Sequence, residues 1–213
     1  AYENEALRLV LQEANQVAQV LQLPEELPIT ETNLVRYYIS PYGMSRIRGS
    51  IGNVTTHDYT YYVSIDKKFC FLEETHQEED CRRWYKEYSW PVSRVDTNAA
   101  YQLAKHWLTA ASMDVNALNA DCDLHIYPMA LTGQGASAHF MPVYWVYWTR
   151  GSEEQGSVAA VELFVPTKKL MQLRVKDSKY ILRKPLVFTN IDYLLSQTNV
   201  PIVHQDASFP FKQ

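Results

Sequence analysis

Residues 98–111, NAAYQLAKHWLTAA, decide how this chain reads. Ala100, Leu103, Ala104, Trp107, Leu108 and Ala111 recur at the i, i+3, i+4, i+7 spacing that lines one face of a helix. Just ahead, Asp96-Thr97-Asn98 supply side chains that can satisfy the free amides of a first turn. About ninety residues earlier the same spacing runs through Leu7, Val10, Leu11, Ala14, Val17, Ala18 and Leu21, and Pro24 and Pro28 stop it. Both helices lead into amphipathic strands. The layout predicts an α+β fold of two tandem units, each a long helix packed on an antiparallel sheet. The first unit takes residues 1–90 with a connector, the second takes residues 91–184, and 185–213 form a tail.

In the first unit, strands are expected near Glu31–Ser40, Ser45–Val54, His57–Ile65 and Phe69–Glu73. The third is the clearest: Tyr59, Tyr61, Val63 and Ile65 alternate with Thr60, Tyr62 and Ser64. Ser40-Pro41-Tyr42-Gly43 and Asp66-Lys67-Lys68 read as turns. Residues 73–89 read as a charged, short helical connector closed by Pro91. In the second unit the helix is expected to end near Met113. Strands follow near Asp123–Leu131, Phe140–Thr149, Val158–Val165 and Leu170–Lys176. The tail predicts a short helix over Asn190–Gln197, then an end that stays in place only if Ile202, Val203, Phe209 or Phe211 pack on the body.

Composition narrows the function classes. The chain has 213 residues, 46% hydrophobic, which suits a globular protein. Fifteen Tyr and five Trp suit half-wet sheets and binding surfaces, because each buries a large ring and keeps one polar atom to satisfy. Residues 1–90 hold nine Lys/Arg and fourteen Asp/Glu; residues 91–213 hold eleven and ten. Neither half is the strongly basic domain of a nucleic-acid binder. No apolar run reaches the roughly 18 residues of a membrane span. The chain opens at Ala1 almost directly into a helix, which suggests a trimmed leader. Three Cys are too few for a disulfide framework. Cys70 with Cys81, or Cys81 with Cys122, could pair; buried thiols are an equally good reading.

The strand Val143–Thr149 is large and apolar on both faces, with Val143, Trp145 and Tyr147 on one and Tyr144, Val146 and Trp148 on the other. Such a strand is buried twice or sits at an interface. Tyr144, Trp145, Tyr147 and Trp148 are therefore candidate binding residues, and packing between the helix and the first unit is the plainer alternative. In Met171–Lys176, Met171, Leu173 and Val175 should face inward, and Gln172, Arg174 and Lys176 should face water. With Lys168, Lys169 and Lys179 the latter make a basic patch, which makes Arg174 and Lys176 candidate binding residues. Lysines guarding an exposed edge strand account for them more simply.

His76 with Cys81 and Cys122 with His125 supply the ligand types of a zinc site at a spacing that fits no standard finger, so no metal is assigned. His57, His125 and His139 could serve acid–base chemistry in a sheet-lined pocket. Structural hydrogen bonding is the commoner role of such a histidine. The acidic run Glu73, Glu74, Glu78, Glu79 and Asp80 reads as a solvated helix face. No catalytic residue and no cofactor is assigned.

The helix Asn98–Ala111, the strand Val143-Tyr144-Trp145-Val146-Tyr147-Trp148 and the hairpin from Val161 to Leu170 together resemble a PepSY-type domain. That small α+β module occurs in secreted protease propeptides and bacterial envelope proteins. At its hairpin turn this chain carries Val165 and Lys168 where that pattern has Asp and Gly. Tyr61–Asp66 and Phe69–Leu72 are similar in outline. The arrangement also resembles a cystatin-like fold, without the Gln-x-Val-x-Gly loop that carries cystatin inhibition. The resemblance implies a bacterial, extracytoplasmic location, periplasmic or secreted.

The expectation is a non-catalytic binding or regulatory module that holds a protein or peptide partner through a sheet edge or an aromatic surface. The alternative is a cone-shaped α+β fold, small-molecule-binding or enzymatic, with a pocket between helix and sheet. A homodimer that buries the aromatic strand is a third arrangement.

Overall fold

Residues 2–40, 50–64, 69–151 and 156–182 are described in the computed structural model of the chain. The apolar stripe near the N-terminus forms α1 (Tyr2–Leu21). It is followed by β1 (Arg36–Ile39), β2 (Ser50–Thr55), β3 (Tyr59–Ser64) and β4 (Phe69–Glu74). Then come α2 (Gln77–Glu87), the two-residue β5 (Trp90–Pro91), α3 (Thr97–Ala110) and α4 (Val115–Asp121). β6 (Asp123–Thr132), β7 (His139–Thr149), β8 (Ser157–Phe164) and β9 (Lys169–Val175) complete the order. The protein is α+β, and its strands join in one sheet.

The strand order is β1-β2-β3-β4-β9-β8-β7, every pairing antiparallel. β6 pairs with the outer side of β7, and β5 adds to β7 at His139 and Phe140. The seam in the middle is β4 against β9, where Phe71, Leu72 and Glu73 oppose Arg174, Leu173 and Gln172. At one margin β1 lies so close to Gly52 that a Cβ there would stand 2.5 Å from the Tyr38 carbonyl oxygen. The absence of a side chain at Gly52 lets this edge close.

Period-two alternation sorts the side chains to two faces. Ile51, Val54, Tyr59, Tyr61, Val63, Leu72, Tyr144, Val146, Trp148, Ala159, Val161, Leu163, Leu173 and Val175 are buried on one face. Leu7, Val10, Ala14, Val17 and Ala18 of α1, with Ala100, Ala104 and Leu108 of α3, meet them there. Each large aliphatic side chain so buried contributes roughly 1.5–3 kcal/mol. The Asp96 carboxylate caps α3 by accepting from the Ala99 amide at 2.8 Å. Tyr61 and Thr56 both donate to Glu25 just past α1, at 2.8 and 2.7 Å. Burial holds that carboxyl above its ordinary range, and it raises the Tyr59 and Tyr61 phenols as well.

A second, smaller core lies on the opposite face. There α2 sets Trp84 flat on Phe164, with ring centroids 3.7 Å apart and planes 5° from parallel. Met141, Val143 and Met171 complete the cluster. The structure thus separates Met171 from Leu173 and Val175, with which the alternation had grouped it. The β8–β9 register slips between Glu162 and Leu163, so Leu170 and Met171 are buried in succession on opposite faces.

Three further differences from the sequence reading have local causes. The strand expected over Glu31–Ser40 is reduced to Arg36–Ile39, because Glu31–Asn33 wind into a 3-10 turn. The second helix stops at Ala110, because Ser112 takes a left-handed conformation with φ 59°. The chain then restarts as α4, capped by Asp114 on the Ala117 amide at 2.9 Å. Past β9, Tyr180 is buried, and the Leu182 amide donates to the Ser112 carbonyl at 2.8 Å. The expected start of the second strand, the Asp66-Lys67-Lys68 turn and the tail helix over Asn190–Gln197 lie outside the described residues. None of the described helices is long and apolar enough to cross a membrane.

Candidate binding surface on the face opposite the long helices

The face turned away from α1 and α3 is built in rows, because antiparallel register aligns residues straight across the strands. One row runs Tyr38, Asn53, Tyr62, Phe71, Arg174, Ala160, Tyr147 and His125. Its neighbour runs Arg36, Thr55, Thr60, Glu73, Gln172, Glu162, Trp145 and Tyr127. α2 covers one end of this face. Among the described residues nothing covers the rows toward β6.

The aromatic strand is split by this geometry. Tyr144 and Trp148 lie in the main core, 1% and 0% exposed. The Tyr144 hydroxyl accepts from the Asp96 amide at 3.0 Å, and the Trp148 indole donates to Asn119 of α4 at 2.8 Å. They position α3 and α4 on the sheet. Trp145 and Tyr147 stand on the other face, half-buried. There Tyr147 stacks with His125 and Tyr127 of β6, at centroid distances of 5.0 and 5.9 Å. His125 accepts or donates a hydrogen bond with Thr149 at 3.0 Å.

The lysines do not gather into one patch. Lys169 turns toward α2 and bridges Glu74 at 3.0 Å and Asp80 at 2.6 Å. Lys179 pairs with Asp121 at 2.8 Å. Arg174 lies half-buried in the sheet face and donates to Ser157 at 2.9 Å. Burial lowers both Arg174 and Lys176 from their ordinary values. Arg174 stands in the row that holds Tyr147, and Lys176 is exposed just past the end of β9.

The acidic run is likewise not a solvated face throughout. Glu73 and Glu74 end β4, and Glu74 and Asp80 are buried. Glu162 is the carboxylate that the sequence reading missed. It is 1% exposed, accepts from the Gln77 side-chain amide at 2.7 Å, and is also bonded by the Trp145 side chain. Burial pushes it up to about 7. Its only sequence signal was a charged residue at the centre of an apolar strand.

The histidines do not gather in one pocket. His57 is exposed beside Asp58, with its ring 4.7 Å from that of His76 at the start of α2, and His139 bonds Ser89 at 2.8 Å. A concave site of about 420 Å3 opens between the N-terminus of α2 and the sheet, lined by Arg36, Thr60, Tyr62, Glu73, Glu74 and Gln77 among others. It lies on the face opposite the long helices, and none of those histidines lines it. Cys81 lines this site, and burial pushes its thiol up to about 11. Cys81 and Cys122 are free thiols, and the Cys70 side chain lies outside the described residues. Among the described residues no three potential ligands gather to hold a metal ion.

Comparison of the chain with protein-family models, with curated proteins and with solved structures finds no match.

Proposed function

We propose that this protein is a non-catalytic binding or regulatory module working outside the cytoplasm, and that it takes an extended segment of a protein partner along the edge of β6. The observation that carries this reading is β6 itself. It is ten residues long, and among the described residues it pairs only with β7. Leu124 and Tyr127 on it are exposed. An added strand would complete main-chain hydrogen bonds there and place alternate side chains beside His125, Tyr127 and Tyr147.

Pro128 is tolerated because edge strands can spare an amide, and the register slips after it. The docking stretch is therefore Asp123–Tyr127. The opposite margin, β1, is only four residues long, which favours β6.

We read the chain as two tandem units in the manner of PepSY or cystatin-like domains. The order supports this: α1 then β1 to β4, and α3 with α4 then β6 to β9, joined at β4 and β9. The extracytoplasmic placement rests on that resemblance.

The test is selection from a displayed library of random ten-residue peptides against the full chain. Selected peptides should bind wild type at least about tenfold more tightly than Tyr127→Ser or Tyr147→Ala, the loss of an aromatic anchor at an interface. Arg82→Ala, on the solvent side of α2, should bind as wild type. Peptides indifferent to both tyrosines would refute the reading.

A further inference from the structure

We propose that the concave site between α2 and the β3–β4 hairpin binds a small organic amine, taking its ammonium group against Glu73 and Glu74. This site is separate from the β6 edge and stands independently of the peptide reading.

The inference starts from Glu73, a half-buried carboxylate that no described cation pairs, beside Glu74, whose Oε2 has no hydrogen-bond partner. Carboxylates taken out of water are ordinarily paired or fully hydrogen-bonded. Glu74 is 4% exposed and lines the site. Its Oε1 receives the Lys169 ammonium and the His76 amide, and its Oε2 is buried with no hydrogen-bond partner. Glu73 lies alongside, half-buried, with no ion pair or hydrogen bond to any described residue. The nearby cations are engaged with carboxylates other than Glu73: Lys169 with Glu74 and Asp80, Arg82 with Glu78, and Arg83 with Asp80 at 2.5 Å. Arg36 stands at the exposed rim. A ligand ammonium brings three N–H donors and a counter-charge to Glu73.

The rest of the lining suits an organic amine better than a bare metal ion. Tyr62 offers a ring face against which a cation and its carbon chain can rest. Thr60 and Thr75 offer hydroxyl oxygens as further acceptors, and Gln77 is turned away to Glu162. About 420 Å3 admits a short diamine rather than a single ion. Burial raises the Glu73 carboxyl from its ordinary value, so amine binding should strengthen as pH rises and Glu73 ionises.

The experiment titrates the full chain with putrescine and with spermidine by calorimetry, using glutarate as the anionic control and potassium chloride as the ionic control. Binding is expected with a dissociation constant of about 1 mM or tighter for either amine, and none for glutarate. Glu73→Gln, which breaks no contact of the fold, should weaken the amine at least about tenfold. Arg36→Ala should bind as tightly as wild type or more so. Alkylation of Cys81, followed by mass spectrometry, supplies an independent readout, and saturating putrescine should slow it. The proposal is overturned if neither amine binds, if glutarate or potassium competes equally, if Glu73→Gln folds and binds as wild type, or if Cys81 reacts at an unchanged rate.

Discussion

The side-chain amide of Gln77, on α2, donates to the carboxylate of Glu162, on β8, at 2.7 Å. This bond ties the cap of the second face to the centre of the sheet. It also keeps a buried acid from lying unsatisfied between Gln172 and Trp145, its neighbours across the strands. Glu162 is the group whose titration should reach furthest into stability.

Its folded value is about 7, and an unfolded carboxyl sits near 4.5. Between those values the native state holds a proton that the unfolded chain has lost. Stability should therefore fall as pH rises through this window and level off above it. The difference corresponds to about 3 kcal/mol. Glu162→Gln, a neutral side chain of the same shape, should match wild type near pH 4.5 and exceed it by roughly that amount near pH 8. Urea unfolding at the two pH values measures it. An equal gap at both would contradict the assignment.

α2 is held chiefly by Trp84 on Phe164, with the Tyr88 ring edge-on to Phe164 at 5.2 Å. Trp84→Ala should cost about 3 kcal/mol through lost burial and the cavity left behind. Hydrogen exchange should speed up over Gln77–Glu87 while β8 stays protected. A loss under about 1 kcal/mol would show that α2 is held by its ion pairs instead.

The capping contact of Asp96 on Ala99 predicts a smaller effect. Asp96→Ala should lower stability by about 1 kcal/mol, and Asp96→Asn should recover most of it. Thermal melts of the three proteins check this. Because the same residue's amide meets the Tyr144 hydroxyl, Tyr144→Phe should also loosen the start of α3.

The two apolar helix stripes and the alternating strands are local signals, and they were legible. Leu7 to Leu21 and Ala100 to Leu108 lie where a period of 3.6 puts them. What could not be read was how strands meet across the chain. The β4–β9 seam brings residues about a hundred positions apart into register, and no local pattern marks it. The division of Tyr144 and Trp148 from Trp145 and Tyr147 was legible as alternation, whereas which pair faced α3 was not. α4 escaped because its seven residues, Val115–Asp121, carry too short an apolar stripe to stand out beside the longer helix. The role of α2 escaped because its sequence is nearly all polar, and a single tryptophan commits it to the sheet.

The most direct test of the β6 reading is amide hydrogen exchange on the full chain, with and without a peptide selected on it. Amides of Asp123–Tyr127 that β7 leaves unpaired should exchange at least about tenfold more slowly with peptide bound, as a new row of main-chain bonds forms. Protection that appears on β1 or α2 while β6 stays unchanged would contradict the account.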